Sequence, residues 1–515
     1  MSINHGLSST LRIVGRSLTI PSGLYVNNQF VKGSGAPLTT IDPSNGQPLL
    51  PPSSTISTAS SSDVDTAVQA ARQAFTRTWG LKSNGFQRSN LLRNLAQLIE
   101  QKQEDFALVE SCDSGKPIRW ARGDVQDSVA CLRYYAGHAD KIVGQSLELN
   151  YGTKHCFTKH EPVGVVAQIV PWNYPILMWA WKVAPALAAG CTIVFKPAEN
   201  TPLSTLLLAD LFRQAGYPEG VFNVVNGHGE ETGAALVSHP DIDKIAFTGS
   251  TATGRLIALT AAQYNRKVSL ELGGKSPNII FPSADLEQAS KWAALGGFEN
   301  SGQACSAGSR VLVHRNIKEE VEKRLVKCAK QIKVIRATFF QDQIGHPLDP
   351  ETWQGPQVSQ AQFDSVMSYI QIGKNDGSKL LYGGERHGSE GYYIQPAIFT
   401  DVSPNSVIAR DEIFGPVIAV IPFDTEEEAI RLANDTPYGL AAGVHSKDAD
   451  QIARVSNQLQ AGTVWINQYS YTSNNAPFGG FKGSGIGREL GSYGLDAYLQ
   501  VKAVHWNYGE RIDFP

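Results

Sequence analysis

GVVAQIVPWNYPILMWAWKVAPALAAGCTIVFKP, residues 164–197, decides the fold. It opens on a run rich in β-branched residues, GVVAQIVPW. It passes through a helical segment, PILMWAWKVAPALAAG (175–190), and ends in a second β-type run, CTIVFKP (191–197). Both runs are apolar with little alternation, the pattern of strands covered on both faces, and the helix between them makes the pair parallel. The alternation continues downstream. A helix is expected at 201–215, the strand VFNVVNG at 221–227, a short helix opened by GHGEETG at 227–233, the strand KIAFTGS at 244–250, another helix, and the strand VSLEL at 268–272. The expected class is α/β, with a doubly wound parallel sheet. Ligands of such sheets sit at the carboxyl ends of the strands.

Upstream, helical spacing predicts helices over 60–79, 87–111 and 121–144, so the first part of the chain reads as mostly helical. Residues 1–20 read as an extended arm leading into a first strand in GLYVNNQFV (23–31). Downstream, a second alternating stretch gives strands at 310–314, near 392–400, and at 417–422, 441–445 and 463–467. Helices are expected at 317–332, 359–373, 426–434 and 448–459. This is a second α/β domain, as 515 residues exceed one core.

Composition limits the function. Hydrophobic content of 42% and charged content of 18% suit a globular enzyme, and a net charge of −3 gives no basic surface for nucleic acid. No apolar run is long enough to span a bilayer. Six cysteines (112, 131, 156, 191, 305 and 328) lack any C-x-x-C pair, which excludes a disulfide framework or zinc site and fits a reducing compartment. A cytoplasmic location and no metal are expected. Residues 1–20, with Arg12, Arg16 and no acid, are also compatible with a mitochondrial transit peptide.

Two features carry chemistry. Cys305 lies among small residues in FENSGQACSAGSR (298–310), where glycines and serines allow close approach of another molecule. Glu271 is the one acid in the apolar run of KVSLELGGKSP (267–277), and a buried carboxylate is costly without a partner or a task. A bland alternative for Cys305 alone is a free core thiol. Signals for a nucleotide are imperfect. No G-x-G-x-x-G occupies the strand-to-helix turns. Gly249–Gly254 has P-loop spacing, but Arg255 and Leu256 replace the required Lys and hydroxyl. FTGS at a strand end can still present helix amides to a pyrophosphate. In KPAENTP (196–202), Glu199 is placed to accept hydrogen bonds from a ribose.

PWNYP (171–175), FTGS (247–250), LELGGKSP (270–277), GQACSAGSR (302–310), EIFGPV (412–417) and PFGGFKGSGIGRELG (477–491) together resemble the NAD(P)-dependent aldehyde dehydrogenase superfamily, in its non-acylating branch, over about 23–507. The resemblance implies the family fold, with an NAD-binding domain (1–144 and 162–273), a catalytic domain (274–483) and a β oligomerisation arm (145–161 and 484–515). A homodimer or homotetramer is expected. Cys305 matches the nucleophile, which forms a thiohemiacetal and then a thioester. Asn173 matches the oxyanion-hole amide, Glu271 the base for the hydrolytic water, and Lys182 with Glu489 a proton relay.

For NAD, the resemblance implies contacts from Ile169, Val170, Pro171 and Trp172, and from Lys196 and Glu199 at the adenosine ribose. Ser250 matches a pyrophosphate contact, and Gly229, Gly233, Phe247 and Gly249 are further expected cofactor contacts. Glu412 with Phe414 matches the nicotinamide-ribose clamp, and Glu271, Leu272, Gly273 and Lys374 are further expected cofactor contacts. Glu199 would repel a 2′-phosphate by roughly 4 kcal/mol at an intermediate effective dielectric, which favours NAD over NADP. The substrate tunnel is expected to be lined by Asp127, Tyr174, Met178, Trp181, Glu299 and Phe478. Aromatic faces and two acids there suggest a cationic amino- or betaine-type aldehyde. The alternative is a neutral aliphatic or arylacetaldehyde. A thiol esterase and a non-catalytic structural protein are rivals from other classes. Two departures stand out: VIRATFFQDQ (334–343) looks like an insertion, and Glu299 replaces a bulky residue.

Overall fold

The structure is a computed structural model and describes residues 7–51, 54–149, 152–332 and 344–515. The 334–343 insertion lies outside the described residues.

An eight-stranded sheet runs in the spatial order Gly485–Ile486, Lys267–Glu271, Lys244–Thr248, Val165–Ile169, Thr192–Lys196, Phe222–Val224, Leu24–Val26, Gln29–Val31. Its five middle strands are parallel. The parallel part starts at Val165–Ile169, steps outward through Thr192–Lys196 to Phe222–Val224, then returns to lay Lys244–Thr248 on the other side. The reversal leaves a crevice at the carboxyl ends of Val165–Ile169 and Lys244–Thr248, where ligands of open α/β sheets bind.

The helix Pro175–Ala189 starts with proline at its first turn, where no amide donor is needed, and stops at Gly190 in the left-handed conformation (φ 97°). Every residue along it is buried, which its nearly all-apolar sequence requires. It therefore fixes the Asn173 turn just before it as part of the core.

A second, seven-stranded sheet has the order Lys379–Tyr382, Ala397–Thr400, Val417–Phe423, Arg310–His314, Pro277–Ile280, Ala441–His445, Thr463–Ile466. Only its edge strand Lys379–Tyr382 is antiparallel. That strand was not expected from the sequence, nor was the interior strand Pro277–Ile280, which is short and follows two glycines. The linker between the sheets is brief. Lys267–Glu271 ends at Glu271, and the second sheet begins at Pro277.

Three expectations need correction. The first part of the chain is not simply helical: Ser8–Ile13 and Arg16–Pro21 form a hairpin, and GLYVNNQFV is a second hairpin rather than one strand. Asn27 and Asn28 both have positive φ (51° and 59°), as a tight two-residue hairpin turn requires. The helix expected at 87–111 breaks at Lys102 into Gly85–Gln101 and Gln103–Ser114. The segment 484–515 does not act as one arm. Gly485–Ile486 joins the eight-stranded sheet beside Glu271, and Leu499–Asn507 pairs with Lys154–Pro162 in a three-stranded sheet with Ser146–Leu149. Among the described residues, no helix is long and apolar enough to cross a membrane.

Candidate active site

The segment before Cys305 is held in an unusual backbone. Asn300, Ser301 and Gly302 all have positive φ (51°, 59° and 73°). For the two side-chain-bearing residues this costs about 1–2 kcal/mol each, so the surroundings must over-determine it. They do. Asn300 Nδ2 donates to the Asn173 carbonyl (2.9 Å), and Ser301 Oγ donates to the Gly355 carbonyl (2.9 Å). Gln303 Nε2 donates to the Asn300 carbonyl (3.1 Å), while Gln303 Oε1 accepts from the Val358 amide (3.0 Å). A Cβ at Gly302 would overlap the Gly415 carbonyl, and one at Gly274 would overlap the Cys305 carbonyl. The loop is thus wedged against both neighbours of the thiol.

Cys305 is half-buried, and burial, then the Glu271 carboxylate, push its pKa well above the usual thiol range. The resting group is the thiol. Glu271 is 3% exposed, and it sits beside Cys305 and Thr248 without closing a hydrogen bond of good geometry at either oxygen. Burial, then the nearby Glu489 charge, raise its pKa to about 7. Lys182, the one charge on its buried helix, is paired with Glu489 and donates to Thr248 Oγ1 (2.6 Å). Asn173 Nδ2 donates to the Gln303 carbonyl (2.9 Å), which fixes the amide and leaves its second N–H available.

Cys305 and Asn173 line a cavity of about 260 Å³ with Pro171, Trp172, Thr248 and Leu272. Gly249, Ser250, Gly273, Gln362, Glu412 and Phe414 complete it. Glu412 Oε1 accepts from the Gly274 amide (3.0 Å), and burial holds its pKa up to about 7. Phe414 has positive φ (56°), meets Trp172 edge to face, and has its carbonyl held by Gln362 Nε2 (2.9 Å).

Through Pro171, Trp172, Thr248, Gly249 and Ser250 this cavity shares its walls with a larger cleft of about 930 Å³. The cleft lies over the strand crevice and is lined by Ile169, Val170, Lys196, Glu199, Gly229, Gly233 and Phe247. Ser250 caps the helix Thr251–Gln263, whose first amides open there. Lys196 Nζ lies 3.4 Å from Glu199 Oε2, and burial lowers its pKa. A long ligand with a sugar at one end and a diphosphate in the middle fits this shape and donor set.

Not every expected residue joins the site. Lys374 is exposed on the helix Gln360–Asn375 and lines neither cavity; Gln362, at the start of that helix, does. Asp127 is exposed. On the helix Ile118–His138 the inward face is Ala121, Asp124, Val125, Ser128 and Val129, so Asp124 is the acid turned inward. Asp124 pairs with Lys116, whose side chain is fully buried and whose ammonium lies 3.9 Å from the centre of the Tyr174 ring. Lys116, Asp124 and Gln362 were missed. Helical phase alone could have found Asp124. Glu299 is half-buried beside Ser470, and burial raises its pKa to about 7. Trp181 and Phe478 meet edge to face (5.3 Å), and Met178 is buried in the same core. Among the described residues no His/Cys/Asp/Glu group could hold a metal ion.

The family model described as "Aldehyde dehydrogenase family" matches residues 30–504. An aldehyde dehydrogenase of Emericella nidulans is 51% identical over 96% of each chain. Among solved structures, the NAD+ complex of an aldehyde dehydrogenase from Bacillus cereus has a TM-score of 0.90 at 47% identity, covering 94% of this chain and 96% of that one. A betaine aldehyde dehydrogenase from Staphylococcus aureus in complex with NAD+ has a TM-score of 0.91 at 38% identity, covering 96% of each chain.

Proposed function

The chain belongs to the aldehyde dehydrogenase family and is an oxidoreductase, and on that premise we propose that it oxidises aldehydes to carboxylic acids with NAD, through Cys305. The observation that carries the reading is the unpartnered, buried Glu271 carboxyl against the Cys305 thiol, beside a fixed Asn173 amide. Glu271, half ionised near neutrality, takes the thiol proton, and the thiolate adds to the aldehyde carbon. The free Asn173 N–H and the Cys305 backbone amide stabilise the oxyanion of the thiohemiacetal, on the order of 3 kcal/mol per donor. The chemistry a dinucleotide supplies in the cleft is hydride acceptance. Glu271 hands the thiol proton outward to Glu489, and so is again ionised when it removes a proton from the water that hydrolyses the thioester. Lys196 and Glu199 would hold the adenosine ribose, the Ser250 turn the pyrophosphate, and Glu412 with Phe414 the nicotinamide ribose.

For the substrate, the Lys116 ammonium favours the neutral reading. It covers the Tyr174 face and neutralises Asp124, while Glu299 is only partly ionised at pH 7. Little net charge then faces a substrate cation, apart from the exposed Asp127. The cationic reading keeps support from the likeness to the betaine aldehyde dehydrogenase. Absence of paired cysteines supports a cytoplasmic location, and the exposed C-terminal strand supports assembly as a homodimer or homotetramer. The test is reduced-cofactor formation by purified protein with hexanal, phenylacetaldehyde, 4-aminobutyraldehyde and betaine aldehyde, each with NAD and NADP. Higher kcat/KM for the neutral aldehydes with NAD is expected. No turnover of any aldehyde would overturn the reaction, and preference for the ammonium aldehydes would restore the cationic reading.

A further inference from the structure

Buried parallel strands are normally apolar on both faces, yet one face of this sheet carries a polar stripe. On Lys267–Glu271, alternate residues Lys267, Ser269 and Glu271 share a face. Their register partners on the neighbouring strand are Lys244, Ala246 and Thr248. The stripe spans about 13 Å, from buried Glu271 at the carboxyl end to exposed Lys267 at the amino end. Its members are connected. Lys182 joins Thr248 to Glu489. Glu271, Glu489 and Ser269 share the wall of a cavity of about 10 Å³, room for about one water. Ser269 Oγ accepts a hydrogen bond from Lys244 Nζ (2.6 Å). Lys244 is itself 1% exposed, with the Tyr498 ring 5.2 Å away.

A buried lysine costs several kcal/mol unless it has a counter-ion or a task, and among the described residues no carboxylate forms an ion pair with Lys244. We propose that Ser269 and Lys244 are the outer stations of a proton path that carries the proton of thioester hydrolysis from Glu271 past Glu489 to the amino ends of the strands. The inference rests on the aldehyde-oxidising reading and deepens its second half-reaction. One water attacks the thioester carbon, the carbon–sulfur bond breaks, and Cys305 leaves as thiolate, which takes a proton from solvent to regain the resting thiol before the next turnover. The attacking water's hydroxyl stays on the acid product, and its other proton goes to Glu271. Glu271 passes it to Glu489. From there a water in the small cavity and the Ser269 hydroxyl hand it to the neutral amine of Lys244, and the resulting ammonium releases it at the amino ends of the strands, where its register partner Lys267 is exposed. No electrons move in these steps.

Lys244 suits the role because burial lowers its pKa to about 7. The charged and titratable groups around it are Lys267 and Lys182, which lower it further, and Cys191 and Glu489, which raise it. An amine in that range both accepts and releases a proton near neutrality.

The test uses the full chain and its preferred aldehyde. The hydride-transfer burst and the single-turnover deacylation rate are measured from pH 6 to 9 in wild type, Ser269→Ala, Lys244→Met and Lys244→Arg. Both Lys244 variants and Ser269→Ala should keep the burst rate and lose about tenfold in deacylation. Imidazole added as a mobile proton carrier should restore much of that loss. Lys244→Arg keeps the charge but cannot release the proton, so it should behave as Lys244→Met does. Unchanged deacylation in folded Ser269→Ala, or full activity in Lys244→Arg, would overturn the path. A wild type that forms no reduced cofactor from any aldehyde, in single turnover or steady state, would overturn the aldehyde-oxidising reading, and the path with it.

Discussion

The two sheets meet at the site with opposite ends. The eight-stranded sheet presents carboxyl ends: Ile169, Thr248 and Glu271 each close a strand, and the cleft opens over them. The seven-stranded sheet presents amino ends: Gly273 and Gly274 precede Pro277, Cys305 precedes Arg310, and Glu412 and Phe414 precede Val417. The first arrangement follows the general rule for ligands of open α/β sheets. The second reverses it. The first sheet supplies a generic crevice, while the second supplies loops whose backbone is held mainly by neighbours on their own side, Gly355, Val358 and Gln362, with Asn300 tied across to Asn173. That explains why the strained backbone, at Asn300, Ser301 and Phe414, lies on the second side.

The largest effect should come from the second side. Cys305→Ala is expected to abolish aldehyde oxidation while NAD binding, measured by calorimetry, persists, since the cleft lies over the first sheet. Reduced cofactor appearing in a single turnover of this variant would break the division of labour between the sheets.

Glu271 sits at the seam, and its removal should be milder. Glu271→Gln should lower deacylation by about 10²–10⁴-fold. The pH sign follows from the raised pKa. The group acts as a base only when ionised, so wild-type deacylation should rise as pH increases through about 7. That rise should be absent in Glu271→Gln. A wild-type profile flat from pH 6 to 8 would mean that Glu271 is not the titrating base.

The smallest effect concerns a residue that holds one of the second side's loops. Gln362→Ala removes the hydrogen bond that holds the Phe414 carbonyl, worth about 1 kcal/mol. It should raise the KM for NAD several-fold with little change in deacylation. Equal loss in both steps would show that Phe414 orders the cysteine side as well.

Local patterns made much of this legible. The apolar β-α-β run at 164–197 announced its parallel strands, and an isolated acid at Glu271 announced a costly burial. Where two elements compete for one stretch, the reading failed. Asn27–Asn28 reads as part of a strand until both residues take positive φ. Asp127 and Asp124 are equally acidic in sequence, and only the helix phase shows which points inward. Lys374 lies on a helix of which a different end, at Gln362, reaches the cavity.

The parallel core, the thiol among small residues and the lone carboxyl are legible in the chain alone, because periodicity and residue chemistry are local properties. Long-range contacts place Lys116 on the face of Tyr174, close the sheet beside Glu271 with Gly485–Ile486, and wedge the cysteine loop at Gly302. Each of these joins residues at least 50 positions apart. The physical reason is that burial and pairing set the energy of a charge or a strained backbone, and both depend on neighbours that the local chain does not specify.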